Sequence, residues 1–184
     1  STLGGPITVT WYTDDTFAFV DTFNPPQTYS TLYDAFDEIS SGQYATVNIG
    51  AGYRGDNSSF TMNQAAEVHL SSSSTTNVFL GTITMNNTSA ILELTNVAID
   101  GPGNAIDVRS GDLLIGSGSR IIGSTRGVFN RGGIVRFSGG MVSSYEASSS
   151  ATTIGTPTYI DGPTPTPGNI PVPGVRPPPP HVTQ

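Results

Sequence analysis

From residue 44 onward the apolar residues come in short alternating bursts, never in long runs. "ATVNIGAG", "AEVHLSSS", "AILELTNVAID", "DLLIGSGSRIIG" and "GIVRFSGGMV" follow one another along the chain. Each shows the period of two expected of a strand with one buried face. Aligned, they put Val47, Val68, Leu92, Leu113 and Val135 in one column and Ile49, Leu70, Leu94, Ile115 and Phe137 in a second. Successive members are 21, 24, 21 and 22 residues apart. A repeat of that length, with apolar residues at i and i+2, predicts a solenoid in which every coil contributes short strands. "NVFLGTITM", "NAIDVRSG" and "RGVFNRGG" supply strands for further faces, and Gly, Asn and Ser fall at the corners, where the backbone must bend. A leucine-rich repeat needs Leu-x-x-Leu-x-Leu and a hexapeptide β-helix a six-residue period, and neither is present. The pattern predicts an all-β fold, a short right-handed single-stranded parallel β-helix. With about five coils at roughly 4.8 Å per rung, it stands about 20–25 Å tall.

Upstream, "ITVTWYTDDTFAFVDTF" alternates on either side of "TDDT" and predicts two extended segments around a turn. Trp11 in the first of them is expected to be a core or interface anchor. "YSTLYDAFDEISSG" predicts one short helix over 31–39. Leu32, Phe36 and Ile39 recur at helical spacing, Ser30 or Thr31 can cap the first turn, Asp34 follows Thr31 by three, and Gly42 lies beyond the end. Placed directly before the first rung, this helix is expected to cover the open N-terminal edge of the stack. From Ser143 the core gives way to "SSYEASSSATTIGTPTYIDG". "PTPTPGNIPVPGVRPPPPHVTQ" follows, with nine of the fourteen prolines. That end is expected to be an extended polyproline arm, reaching about 60 Å at about 3.1 Å per residue. It either lies along a partner surface or links to a further module. The chain thus divides into N-terminal extended segments (1–29), a helix-capped β-helix (30–142) and a C-terminal arm (143–184).

Charge narrows the function classes. In 184 residues there is no Lys, and seven Arg face fourteen acids, for a net −7. That balance excludes a nucleic-acid binder, which needs a basic face to release counterions. The charges are uneven: Arg54 alone precedes Val68, while Arg109, Arg120, Arg126, Arg131 and Arg136 crowd a later window. They are either solvated strand residues or an electropositive stripe facing an acidic neighbour. Cys is absent, so neither a disulfide nor a thiolate metal site holds this fold. The opening "STLGGPITVTWY" has no basic n-region and no long apolar run. A leading Ser fits removal of an initiator Met, and the chain is expected to be made and used without export.

No catalytic constellation emerges. His69 lies beside column members and His181 in the proline-rich end, so neither has metal-ligand spacing. The Asn-x-Ser/Thr matches at Asn57, Asn86 and Asn87 are expected by chance in so Ser/Thr-rich a chain. Polysaccharide-cleaving β-helices use clustered acids, and the candidates here are Glu93, Asp100, Asp107 and Asp112. Glu93 falls between Leu92 and Leu94 and so faces outward, while the others sit at or near corners. Scattered solvent-facing acids are the expectation, with no enzyme and no cofactor.

The segment "TLYDAFDEISSGQYATVNIGAG" is similar to the opening of pectate-lyase-like β-helices, a short helix and then a first rung. The resemblance covers roughly 30–142. The catalytic motifs of pectate lyases and polygalacturonases have no match, so no catalytic residue carries over. A stiff body with extended arms, lacking Cys and catalytic groups, resembles small β-helical proteins that decorate bacteriophage capsids. That resemblance implies a homotrimer on the virion exterior at threefold or quasi-threefold positions, made in the host cytoplasm and bound to the major capsid protein. It engages neither nucleic acid nor membrane. The residues expected to make partner contacts are Trp11, Arg109, Arg120, Arg126, Arg131, Arg136, Pro165, Pro171, Pro173, Arg176, Pro177 and Pro178. Two alternatives stay open. One is a tail spike or fibre recognising surface glycan, which predicts aromatics exposed on the coil faces. Trp11, Tyr12, Tyr29, Tyr33, Tyr44 and Tyr53, however, all precede the second rung. The other is a polysaccharide lyase or hydrolase.

Overall fold

The computed structural model describes residues 7–12, 27–50, 52–73 and 77–160, the side chains of 10–12 excepted. The chain forms an all-β parallel solenoid of about five turns. Its first face stacks β3 (Tyr44–Ile49), β5 (Glu67–Ser72), the second halves of β7 (Ile83–Thr95) and β9 (Asn104–Gly116), β12 (Ile134–Ser138) and β15 (Thr152–Ile154). The second face stacks β4 (Phe60–Met62), the first halves of β7 and β9, β11 (Arg126–Asn130) and β14 (Tyr145–Ala147). The third is a separate sheet of β6 (Val78–Phe79), β8 (Ala98–Gly101), β10 (Arg120–Gly123) and β13 (Met141–Val142). β7 and β9 each run across a corner and so serve two faces. In β9 that corner is Gly111, at φ 99°, where an added Cβ would lie 2.8 Å from the Asn87 carbonyl and 2.9 Å from that of Ala90. A side chain there would need both a strained backbone and a displaced rung.

The inward columns of the first face are Ala45, Val68, Leu92, Leu113, Val135 and, two residues on, Val47, Leu70, Leu94, Ile115, Phe137. The last four members of each column match the expectation, but the first rung is displaced by two residues. Val47 pairs with Leu70, and Ile49 pairs with Ser72. β3 offers three inward apolar residues where its neighbour offers two, and the third is used by a strand from the other side. β1 (Ile7–Tyr12) runs antiparallel to β3 and places Ile7 opposite Ile49 and Val9 opposite Val47. β2 (Gln27–Tyr29) pairs antiparallel with β1. The second face contributes the columns Phe60, Ile83, Ile106, Val128, Tyr145 and Met62, Met85, Val108, Asn130, Ala147. The third adds Val78, Ile99, Ile121 and Val142, all buried. One coil alone cannot bury such a face. Stacking removes each side chain from water for roughly 1.5–3 kcal/mol before entropy is counted.

The expected helix is α1 (Leu32–Asp37), with Thr31 as its N-cap accepting the Asp34 N–H at 3.0 Å. Leu32, Ala35 and Phe36 are buried, and the Phe36 ring lies 4.6 Å from that of Phe60 on the first rung. Two polar ties fix it there. The Leu32 N–H donates to the Tyr53 hydroxyl at 3.1 Å, and Gln64 Nε2 donates to the Phe36 and Ile39 carbonyls at 3.2 and 2.6 Å. At the other end the solenoid does not stop at Val142. β14 and β15 add to two faces, and residues 158–160 lie along β13 through Val142 N–H to Thr158 O and Ile160 N–H to Val142 O, both 2.9 Å. The body therefore runs from β1 to residue 160, beyond both limits expected for it. In these last rungs Ser143 and Ser144 are buried beside Val142 and Tyr145, and Phe137, Ala147 and Tyr159 pack against them in part. The proline-rich end, residues 161–184, lies outside the described residues.

Candidate functional site

The outer surface follows from the same strand alternation, since every second residue must point away from the core. The five clustered arginines do not form one stripe. Arg136 is on the first face, Arg120 on the third, and Arg109, Arg126 and Arg131 gather on and beside the second. There they surround an outward column of Thr61, Thr84, Asp107, Phe129 and Glu146. Arg131 Nε contacts both Asp107 oxygens at 2.9 and 3.2 Å, and Arg109 Nε lies 3.7 Å from the same carboxylate. Arg126 pairs with Glu146. The guanidinium carbons of Arg126 and Arg131 lie 4.3 and 4.2 Å from the Phe129 ring centroid. At an exposed site each such stack contributes about 0.5–1 kcal/mol.

Asp107 departs from the expectation of a solvent-facing acid. Only 4 % of it is exposed, because Arg131 and Arg109 cover it. A carboxylate is retained at that depth only with such partners. On the first face Arg136 Nε contacts Asp112 at 2.9 and 3.0 Å. The hydrogen bond to Asp112, and then its charge, hold the Arg136 guanidinium above its ordinary range. Glu93 points outward as expected. His69 bridges it to Glu67, with Nδ1 2.7 Å from Glu93 Oε1 and Nε2 2.8 Å from Glu67 Oε2. Asp100 belongs to the third face. The four candidate acids thus lie on three faces, and Glu93, Asp107 and Asp112 are each engaged by a basic side chain. Among the described residues no three His, Cys, Asp or Glu side chains gather as a metal site, and no helix is long and apolar enough to cross a membrane.

Two further features escaped the sequence pattern. The first is an open groove of about 590 Å³ between α1 and β4, lined by Tyr33, Asp37, Ser59, Asn63 and Gln64 over a floor of Phe36 and Phe60. Tyr33 is 45 % exposed, while both phenylalanines are buried. The groove therefore offers one aromatic surface with amides, hydroxyls and a carboxylate, a set suited to a neutral polar ligand. The second is on the first face, where apolar side chains also point outward. Ile91, Leu114, Ile134 and Ile154 occupy four consecutive rungs, with Ile91 36 % and Ile154 43 % exposed. The signal lay in "AILEL", "DLLIG" and "GIVRF", where apolar residues stand at adjacent as well as alternate positions.

Of the remaining expected contact residues, Trp11 is on β1 opposite Ala45, its side chain outside the described residues. Pro165, Pro171, Pro173, Arg176, Pro177 and Pro178 fall in 161–184, also outside them. No protein-family model, curated protein or solved structure matches the chain.

Proposed function

We propose that the chain is a structural virion component, a bacteriophage capsid decoration (cement) protein. Its body stands on the capsid exterior as a homotrimeric knob. The N-terminal segment and the proline-rich 163–184 lie over neighbouring subunits of the major capsid protein. Many shallow contacts made by tethered arms raise avidity without a deep site. One observation supports this above the others. Glu93, Asp107, Asp112 and Glu146 are each engaged by His69 or an arginine, while apolar side chains face outward on consecutive rungs. Such a surface is arranged for broad contact rather than for chemistry. Arg120, exposed on the third face, is the arginine best placed to meet an acidic subunit.

The test uses particles lacking the chain, restored with the full chain or with one ending at Gly162. The full chain is expected to bind and to raise the temperature at which heated particles release their contents. The shortened chain should bind about tenfold or more weakly. Equal occupancy and heat stability would remove the arm from the mechanism, and failure of the full chain to bind would sink the proposal. A second function, glycan recognition by a tail spike or fibre, is favoured by the groove beside Tyr33. A glycan array without hits counts against it.

A further inference from the structure

The outward rows of the first face have an internal symmetry over their three central rungs. One row reads Glu67, Ile91, Asp112, Ile134, Thr152, and the next His69, Glu93, Leu114, Arg136, Ile154, rung by rung. About the rung of Asp112 and Leu114, apolar Ile91 is balanced by apolar Ile134, and anionic Glu93 by cationic Arg136. A twofold axis parallel to the strands, passing over that rung, keeps positions along the strand and reverses the order of rungs. Two copies facing each other across it would set Ile91 against Ile134, Glu93 against Arg136 and Leu114 against Leu114. This is what an isologous interface requires, one patch complementary to itself.

We propose that the first face is a contact between two copies of this chain, related by a twofold axis at Leu114. The charged groups have capacity left for it. Arg136 reaches Asp112 through Nε, leaving its terminal nitrogens for the facing Glu93. Glu93 meets His69 through Oε1, leaving Oε2. Each Asp112 faces its counterpart, and its own Arg136 offsets that repulsion. Twisted sheets pack face to face with aligned strands, as this axis demands. Five rungs of about 4.8 Å by five residues of about 3.3 Å give roughly 400 Å² per copy. That lies at the weak end of specific interfaces, so the contact populates at high local concentration. It doubles whatever assembly the other faces make, and it does not rest on the shell-decoration proposal.

Because the chain has no Cys, single cysteines report the geometry. Facing sheets stand about 10 Å apart, too far for a disulfide, so the linker is a short bis-maleimide. In the purified full-length chain, a mixture of Ile91→Cys and Ile134→Cys is expected to link about fivefold more than either variant alone, and Leu114→Cys should link to itself. Glu93→Arg should abolish the mixed link while leaving the urea midpoint of the chain near that of the parent, which separates lost contact from lost fold. If equal rungs link instead, each single variant joining to itself as readily as the mixture, the twofold geometry is wrong. If no link exceeds that of Thr84→Cys on the second face, the contact is absent. Either outcome overturns the proposal and leaves the binding of shells untouched.

Discussion

At the N-terminal end of the stack, α1 presses Leu32, Ala35 and Phe36 onto the first rung, and β1 covers β3. At the C-terminal end the described residues form no such lid. Asn130, wholly buried at the position that Met62, Met85 and Val108 hold in earlier rungs, donates to the Thr152 carbonyl at 3.0 Å and the Tyr145 hydroxyl at 3.2 Å, and accepts the Gly133 N–H at 3.0 Å. All three residues of β15 beyond it are exposed. One end is closed by apolar burial, the other by a polar knot. In a solenoid each rung is held chiefly by its neighbours, so the difference sets where opening begins. Apolar burial degrades gradually when trimmed. A buried amide with three partners fails at once when any of them is lost.

The largest effect is expected from removing the apolar lid. Phe36→Ala strips the ring that packs on Phe60 and should cost about 3–5 kcal/mol, read as a lower urea midpoint. Amide protection should fall first in β3 and β4, leaving the last rungs as they were. Asn130→Ala should cost about 2–3 kcal/mol, by leaving the Gly133 N–H and Thr152 carbonyl without their partner. Here the first amides to exchange should be those of β14 and β15. If both variants expose the same amides first, the stack opens as one unit and the two ends are not independent.

The same contrast separates what the sequence spelled out from what it hid. The middle rungs were legible because Leu92 with Leu94 and Leu113 with Ile115 are bulky pairs at i and i+2 that recur 21 residues apart. The first rung slipped because Ala45, Val47 and Ile49 give three inward positions, and only the antiparallel β1 decides which two continue the columns. The helix was legible from its cap and period, and Thr31, not Ser30, proved to be the cap. Asp107 was misplaced because its cover comes from Arg131, a full coil away in sequence. The last rungs were missed because Ser143 and Ser144, although buried, carry no apolar pattern. The groove was invisible for a related reason, since α1 and β4 meet only through the fold. Every miss involves a partner one coil or more distant, which periodicity does not encode.

A smaller effect tests the apolar lid without touching its packing. Thr31→Ala removes the acceptor for the Asp34 N–H and should cost about 1 kcal/mol. The loss should appear in α1 before β3, because Tyr53 and Gln64 still hold the helix to the rung.

Alkali should distinguish the ends most gently. Burial raises the Tyr53 phenol at the N-terminal end, with lesser effects from the Leu32 N–H, which lowers it, and from Asp56 and Asp34, which raise it. Burial also raises Tyr159, which lies alongside β13, and the neighbouring Tyr145 adds to it. A phenol raised in the folded state binds its proton more tightly there than in the unfolded chain. Its contribution is therefore fully present below the unfolded value of about 10 and is lost as pH rises from there through the folded value. Urea midpoints should be level below pH of about 10 and fall above it. Tyr159→Phe forms no new charge and breaks no side-chain hydrogen bond among the described residues, so it should leave the neutral-pH midpoint within about 0.5 kcal/mol. It should make the alkaline fall shallower by the share of the C-terminal end. An unchanged alkaline slope in Tyr159→Phe would mean that the polar end is already open before its tyrosine ionises, and that the lid over β3 alone carries the pH dependence.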